Sequence, residues 1–325
     1  MTTPRKTIAL LLSASALATG AAAQLTEGEQ SQMLAAMEMA DNGRAARAVE
    51  VLTSLAAAHP KEAEVRYELG YALMKDYKFD RAAATFRSLR GEIGDAAYQM
   101  EGNALDMAGR RGDAVRTYRE GLKAYPASGR LKMELGTVRM QEEDYDGALA
   151  IYRSGIESEP GFASNYYRAA WILFNSSAPE EGLACAEAFI AMERRGERVE
   201  EMSGMLYAAR AKALRQAAER GGDAATEGAA SAGYSAQADG DHPTLRALTA
   251  AKRAALDGPD TPSGATETLV RQFELRVLAA GHWDAYCRWL MRKGAEEEFA
   301  AWMSLHADMM ERFAIWLADN GDIVG

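Results

Sequence analysis

The chain has 325 residues, of which 48% are hydrophobic, 26% charged and 8% aromatic, a composition typical of a soluble globular protein. This composition excludes a wholly disordered chain, a collagen-like fibre and a membrane protein with many spans. Acidic residues outnumber basic ones by 47 to 37, and the net charge of −10 gives no general attraction for nucleic-acid phosphates. We therefore expect no nucleic-acid partner. The abundance of Ala, Leu and Met predicts a helical fold.

The N-terminal segment has the pattern of a secretory signal peptide. Two basic residues at 5–6 precede an uncharged run with an apolar core, and three small residues end at Ala23. The alternative is a membrane anchor, for which the run is marginally short and contains Ser, Thr and Gly. We expect cleavage between Ala23 and Gln24. The mature chain would then be periplasmic or secreted, without a stable membrane span.

A repeat of about 34 residues runs through the first half of the chain. Alanines that open the second helix of each unit follow one another at steps of 34, 32 and 34 residues, at Ala48, Ala82, Ala114 and Ala148. A small residue recurs earlier in each unit, at Gly70, Gly102, Gly136 and Ala170. Three of the units end in proline, at Pro60, Pro126 and Pro160. Helix N-caps are expected at Asp80, Asp113 and Asp146.

These residues match the tetratricopeptide pattern, and the segment resembles that repeat family. The clearest unit has Leu135-Gly136 in its first helix, Ala148 and Tyr152 in its second, and Pro160 at its end. The resemblance implies an all-α solenoid of helix-turn-helix repeats in which small residues let paired helices pack closely. A generic Ala-rich helical bundle is the alternative, but a bundle has no reason to repeat at this interval.

Four units are clear, from about Glu29 to Gly161, and a fifth is degenerate. The sequence divides into a signal peptide (1–23), the repeat array (24–196), a connecting or capping helix (197–221), a flexible linker rich in Gly, Ala and Ser (222–242) and a helical C-terminal region (243–325). The default role of the C-terminal region is to cap the array. A second set of degenerate hairpins and an oligomerisation module built on the amphipathic last helix are the alternatives.

The sequence contains no motif typical of catalysis. None of the four His lies at metal-ligand spacing from another, and no phosphate loop, nucleophile elbow or kinase motif is present. We therefore expect no enzyme activity, metal or cofactor. The alternative is an enzyme, or an enzyme subunit, with an unrecognised active site in the C-terminal helical region.

The two cysteines, Cys185 and Cys287, allow two interpretations. In an exported protein such a pair can form a disulfide, here closing a loop of about 100 residues. The Ala-rich helix around Cys185 favours a small buried thiol instead. The sequence leaves both interpretations open.

A second stripe of residues on the first helices is the candidate binding surface, about 120° round each helix from the core face. The resemblance implies that these positions line a concave groove that holds a partner protein or peptide. The alternative is that they pack against the neighbouring unit or the cap. The sequence therefore favours a non-catalytic interaction scaffold or assembly factor in the bacterial periplasm. The second stripe consists of Tyr67, Tyr71, Met74, Gln99, Asn103, Met133, Thr137, Met140, Tyr167, Trp171 and Phe174.

Overall fold

The computed structural model describes residues 25–220, 243–258 and 264–324, together with the isolated positions 227, 230, 232 and 262. These residues form α-helices and short 3-10 turns, and no strand occurs among them, so the predicted all-α fold is confirmed. The predicted signal peptide and most of the predicted linker lie outside the described residues. None of the described helices has the length and apolar character needed to cross a membrane.

The chain divides into two compact units, one up to Glu142 and one from Glu143. In the first unit each helix packs against the next in chain order, and the first helices of neighbouring pairs also touch, α1 with α3 and α5 with α7. This is the stacking of helix-turn-helix repeats. Its described helices are α1 (Glu27–Asp41), α2 (Ala45–Ala58), α3 (Ala63–Lys75), α4 (Phe79–Arg87), α5 (Asp95–Met107), α6 (Arg111–Ala124) and α7 (Gly129–Gln141).

Glycines in the first helices allow the paired helices to approach closely. A Cβ atom added at Gly102 of α5 would lie 2.1 Å from the ring of Tyr118 on α6. At Gly70 of α3 it would lie 2.7 Å from the ring of Phe86 on α4. Both rings are buried, so neither can move aside without disturbing the core. The packing role that the repeat pattern predicts for these two glycines is confirmed.

The second unit continues with helix pairs and then departs from that arrangement. Helices α8 and α9 pack together, and α10 packs against both α9 and α11. Short 3-10 turns at Pro179–Gly182 and Arg292–Ala295 precede α10 and the last helix. The described helices are α8 (Tyr145–Ser158), α9 (Ala163–Phe174), α10 (Leu183–Glu193), α11 (Glu197–Arg220), α12 (Leu245–Asp257), α13 (Ala265–Ala279), α14 (Trp283–Leu290) and α15 (Glu296–Asn320).

Helix α11 carries a continuation of the repeat interval that was not predicted. Gly204 lies 34 residues after Ala170, but α11 has 24 residues where α3 has 13. The aromatic ring of Tyr207 packs against Gly294, where an added Cβ would lie 2.2 Å from it. The Tyr207 hydroxyl donates a hydrogen bond to the carbonyl of Pro243 at 3.0 Å. Residues from the C-terminal region thus cover one face of α11.

The predicted N-caps are displaced by two or three residues. The residues that precede α4, α6 and α8 are Lys78, Arg110 and Asp144. The predicted caps, Asp80, Asp113 and Asp146, lie in the first turns of these helices, where a negative charge interacts favourably with the helix dipole. Asp144 is a true cap, because its carboxylate accepts a hydrogen bond from the backbone N–H of Gly147 at 2.9 Å.

Candidate functional site

The second stripe on α3 contains one buried and two accessible residues. Tyr67 is only 3% exposed, and its ring makes an edge contact with Phe86 at 5.6 Å between centroids. Tyr71 and Met74 are half-buried, and the Lys75 ammonium lies 5.4 Å from the centre of the Tyr71 ring. This corrects the assignment of Tyr67 to a binding surface, because Tyr67 packs in the core. Tyr71 and Met74 remain accessible.

The polar residues of the second stripe on α5 are tied to α7. The side-chain amide of Gln99 donates a hydrogen bond to Glu134 at 2.6 Å, and that of Asn103 donates to the same carboxylate oxygen at 3.3 Å. The Tyr118 hydroxyl donates to the Asn103 carbonyl at 2.6 Å. Burial, with the nearby Glu134 charge, raises the pKa of Tyr118 well above its usual value, so this donor keeps its proton. Gln99 and Asn103 therefore join neighbouring repeats.

The second stripe on α7 is half-buried along its length. Met133, Thr137 and Met140 all keep part of their surface accessible. The Thr137 hydroxyl donates a hydrogen bond to the backbone carbonyl of Met133 at 3.0 Å, within the same helix. The two thioether side chains make this helix suited to adaptable apolar contact. We call the five residues of the first unit that stay accessible the accessible stripe: Tyr71, Met74, Met133, Thr137 and Met140.

In the second unit, α9 carries three residues of the second stripe. Tyr167 is 9% exposed, its ring centroid lies 5.1 Å from that of Phe189, and its hydroxyl donates to Glu201 at 2.6 Å. Burial and this hydrogen bond raise the pKa of Tyr167 to about 12. Phe174 is half-buried and packs against Gly182, where an added Cβ would lie 2.9 Å from its ring. Tyr167 is thus internal packing, and Trp171, also half-buried, is the aromatic residue here with the fewest such constraints.

A buried cluster of four charges in the second unit was not predicted from the sequence. The Lys252 ammonium lies 2.7 Å from one carboxylate oxygen of Glu187 and also pairs with Glu274. Arg210 pairs with the other oxygen of Glu187. These residues come from four helices, α10 to α13, and both glutamates and the lysine are buried. Two positive and two negative charges leave the cluster neutral.

The electrostatics of this cluster indicate a structural network. Burial raises the pKa of Glu187, but the charges of Arg210 and Lys252 outweigh burial and lower it overall, so the carboxylate stays ionised. Burial, aided by Arg210, lowers the pKa of Lys252. The ammonium lies 5.6 Å and 5.9 Å from the ring centres of Trp283 and Tyr286, which are buried beside it. Such a sealed and balanced cluster joins helices and offers no open face to a substrate.

The two cysteines are free thiols, so the disulfide that the sequence left open is not formed in this structure. Both are buried, and burial raises the pKa of each thiol to about 12. Thiols with such values are poor nucleophiles at neutral pH. Among the described residues, no group of three or more His, Cys, Asp or Glu is arranged to hold a metal ion.

Comparisons with known proteins agree with the helical repeat arrangement. Sequence profiles described as tetratricopeptide repeat match residues 39–100 and 100–161. Two solved structures are similar to the chain, one titled "Crystal structure of MamA" and one titled "MamA RS-1 ArsTM double mutant". The first is 18% identical, covers 48% of this chain and 93% of its own, and has a TM-score of 0.37. The second is 15% identical, covers 53% and 97%, and has a TM-score of 0.37. No curated protein sequence matches significantly.

Proposed function

Residues 39–161 belong to the tetratricopeptide repeat family, and we propose that the chain is a non-catalytic scaffold or assembly factor that binds a protein partner along the first helices of this array. Repeats of this family are typically protein-interaction modules, and stacked repeats create extended binding surfaces. The observation that carries the proposal is the accessible stripe. Tyr71, Met133 and Met140 stay half-exposed beside a core in which Tyr67 is sealed.

The chemistry of the accessible stripe defines the kind of partner. Met side chains adapt to irregular apolar surfaces, and an aromatic ring such as that of Tyr71 is a common anchor in interfaces. The Gln99–Glu134–Asn103 hydrogen bonds supply polar groups beside these apolar residues. A partner segment with apolar side chains spaced along a helix or an extended chain fits this combination.

We place this function in the bacterial periplasm or outside the cell. The support for this is the signal-peptide pattern of residues 1–23. Mass spectrometry of the N-terminus, with protein taken from its own host, is the test. A chain that begins at Gln24 is expected, and a chain that keeps Met1 would remove both the cleavage site and the compartment.

Photo-crosslinking in intact host cells tests the binding surface itself. A photo-reactive amino acid replaces Met133 of the accessible stripe, and in a matched control it replaces Arg119, which is exposed on the second helix α6. We expect one discrete protein to be crosslinked from position 133 and not from position 119. Equal crosslinking at both positions, or none at 133, would contradict binding along the first helices.

A further inference from the structure

The last helix, α15, exposes two large aliphatic side chains. Leu305 is 78% exposed and Ile315 is 60% exposed. Only three of the 25 residues of α15, Trp302, Phe313 and Leu317, are buried. Exposed aliphatic residues of this size, repeated along one helix, are typical of an interaction surface.

The exposed residues of α15 follow the spacing of helix-pairing surfaces. Steps of four and three residues are the pattern by which one helix packs along another. The helix bends at His306, where φ is −133° and ψ is 30°, and the residues of this set are exposed on both sides of the bend. We call this set the α15 stripe: Ala301, Leu305, Asp308, Arg312, Ile315 and Asp319.

The order of residues in the α15 stripe is complementary to its own reverse. When two copies lie antiparallel about a two-fold axis at Met310, Leu305 of each copy faces Ile315 of the other. In the same register, Asp308 of each copy faces Arg312 of the other. These two groups are exposed and lie 2.9 Å apart within one chain, so both are free to bridge two chains. A two-fold contact uses one surface twice, which is what this sequence order allows.

We propose that α15 is a self-association surface that binds a second copy of this chain in the antiparallel direction. A parallel arrangement would place Asp308 against Asp308 and Arg312 against Arg312, which is unfavourable. The antiparallel register matches each apolar residue with an apolar one and each charge with its opposite. Two copies joined in this way carry two repeat arrays, so a partner with two binding segments is held by both. This inference goes beyond the proposed function and does not depend on it.

Sedimentation equilibrium of the purified chain over a range of concentrations is the first test. We expect a reversible dimer that Leu305→Asp and Ile315→Asp each convert to monomer, while circular dichroism shows an unchanged fold. Leu34→Asp is the matched control, because Leu34 is 57% exposed on α1 in the other unit, and it should leave the dimer intact. A wild-type chain that stays monomeric, or a dimer that both α15 variants preserve, overturns the proposal.

Charge reversal and crosslinking test the register. Asp308→Arg and Arg312→Asp should each weaken self-association by about a hundredfold or more, and a mixture of the two variants should associate again. A mixture of Leu305→Cys and Ile315→Cys chains should form an interchain disulfide on oxidation. Leu305→Cys alone should not, because the two copies of that position are ~15 Å apart along the paired helices. A disulfide in the Leu305→Cys chain alone would overturn the antiparallel arrangement.

Discussion

The Lys252 ammonium and the Glu187 carboxylate form a buried ion pair at 2.7 Å, although 65 residues separate them in the sequence. Lys252 lies on α12 of the C-terminal region, and Glu187 lies on α10, next to the last predicted repeat. The pair is completed by Arg210 and Glu274. Removing one member of such a cluster leaves an uncompensated charge in the interior, which is costly.

Replacement of Lys252 by Met should therefore lower the free energy of unfolding by about 3–5 kcal/mol. The ammonium is the only group in the described cluster that pairs with both glutamates, so its loss leaves Glu274 without this partner. Chemical denaturation followed by circular dichroism measures the change. Lys212→Met, at an exposed position on α11, is the control and should have little effect. A Lys252→Met chain as stable as the control would show that the cluster does not hold these helices.

The buried cluster and the repeat glycines differ in how far sequence can predict them. The glycines follow a regular interval with an aromatic residue in the next helix, so the Gly102–Tyr118 packing follows from a local pattern. The cluster joins Glu187, Arg210, Lys252 and Glu274 from four helices, and no periodicity relates these positions. A charged residue on a helix is by default expected on the solvent side. Only the tertiary structure shows the charges together.

The binding surface was predictable in register but not in exposure. Tyr67 and Tyr71 lie four residues apart and belong to one helical stripe, yet Tyr67 is sealed against Phe86. Helix periodicity gives the direction of a side chain, while its burial depends on how closely the neighbouring helix approaches. In α11, by contrast, a sequence signal existed and was overlooked. Gly204 continues the 34-residue step from Ala170 and could have marked this helix as a further first helix.

Gly102→Ala should destabilise the first unit by about 1–3 kcal/mol. The added Cβ would lie 2.1 Å from a ring carbon of buried Tyr118, so the two helices must separate. Thermal unfolding measures the change. Gly112→Ala is the control, because no atom lies within 4 Å of the added Cβ at that helical position. That variant should be neutral or stabilised by up to ~1 kcal/mol. Equal stability of both variants would contradict close packing at Gly102.

Both thiols should resist labelling while the chain is folded. Burial raises the pKa of Cys185 and of Cys287 to about 12, and neither thiol is bridged. A thiol-specific chromogenic reagent should react with two thiols per chain in denaturant and with almost none under native conditions at pH 8. An intact mass two units below the value for free thiols would reveal a disulfide and contradict the structure.

The stability of the first helix should fall at acidic pH because of Glu29. Its carboxylate lies 2.8 Å from the imidazole of His59 and accepts the backbone N–H of Thr26 at 2.9 Å, and these hydrogen bonds lower its pKa from 4.5 to about 2. The folded-state pKa is below the unfolded one, so the stabilisation is present above about pH 4.5 and is lost as the pH falls towards 2.

Thermal melts of Glu29→Gln between pH 6 and pH 3 test this sign. The variant should be less stable than the wild type at pH 6, and the difference should shrink as the pH approaches 3. Glu27→Gln, in the same first turn, serves as the control and should follow the wild-type pH dependence more closely. A difference that stays constant or grows on acidification would rule out the Glu29–His59 contact as its source.

Tyr71 and Tyr67 provide a matched pair that separates binding from folding. Tyr71 is half-buried and belongs to the accessible stripe, so Tyr71→Ala should weaken partner binding by ~2 kcal/mol with a nearly unchanged melt. Tyr67 is sealed against Phe86, so Tyr67→Ala should cost about 3–5 kcal/mol of folding stability. Calorimetry with the crosslinked partner and a circular dichroism melt measure the two effects. Trp171→Ala should behave like Tyr71→Ala, since Trp171 is also half-buried. If Tyr71→Ala instead lowers the melting temperature as strongly as Tyr67→Ala, and binding is lost only with the fold, the accessible stripe is internal packing. The partner would then have to bind another surface of the array.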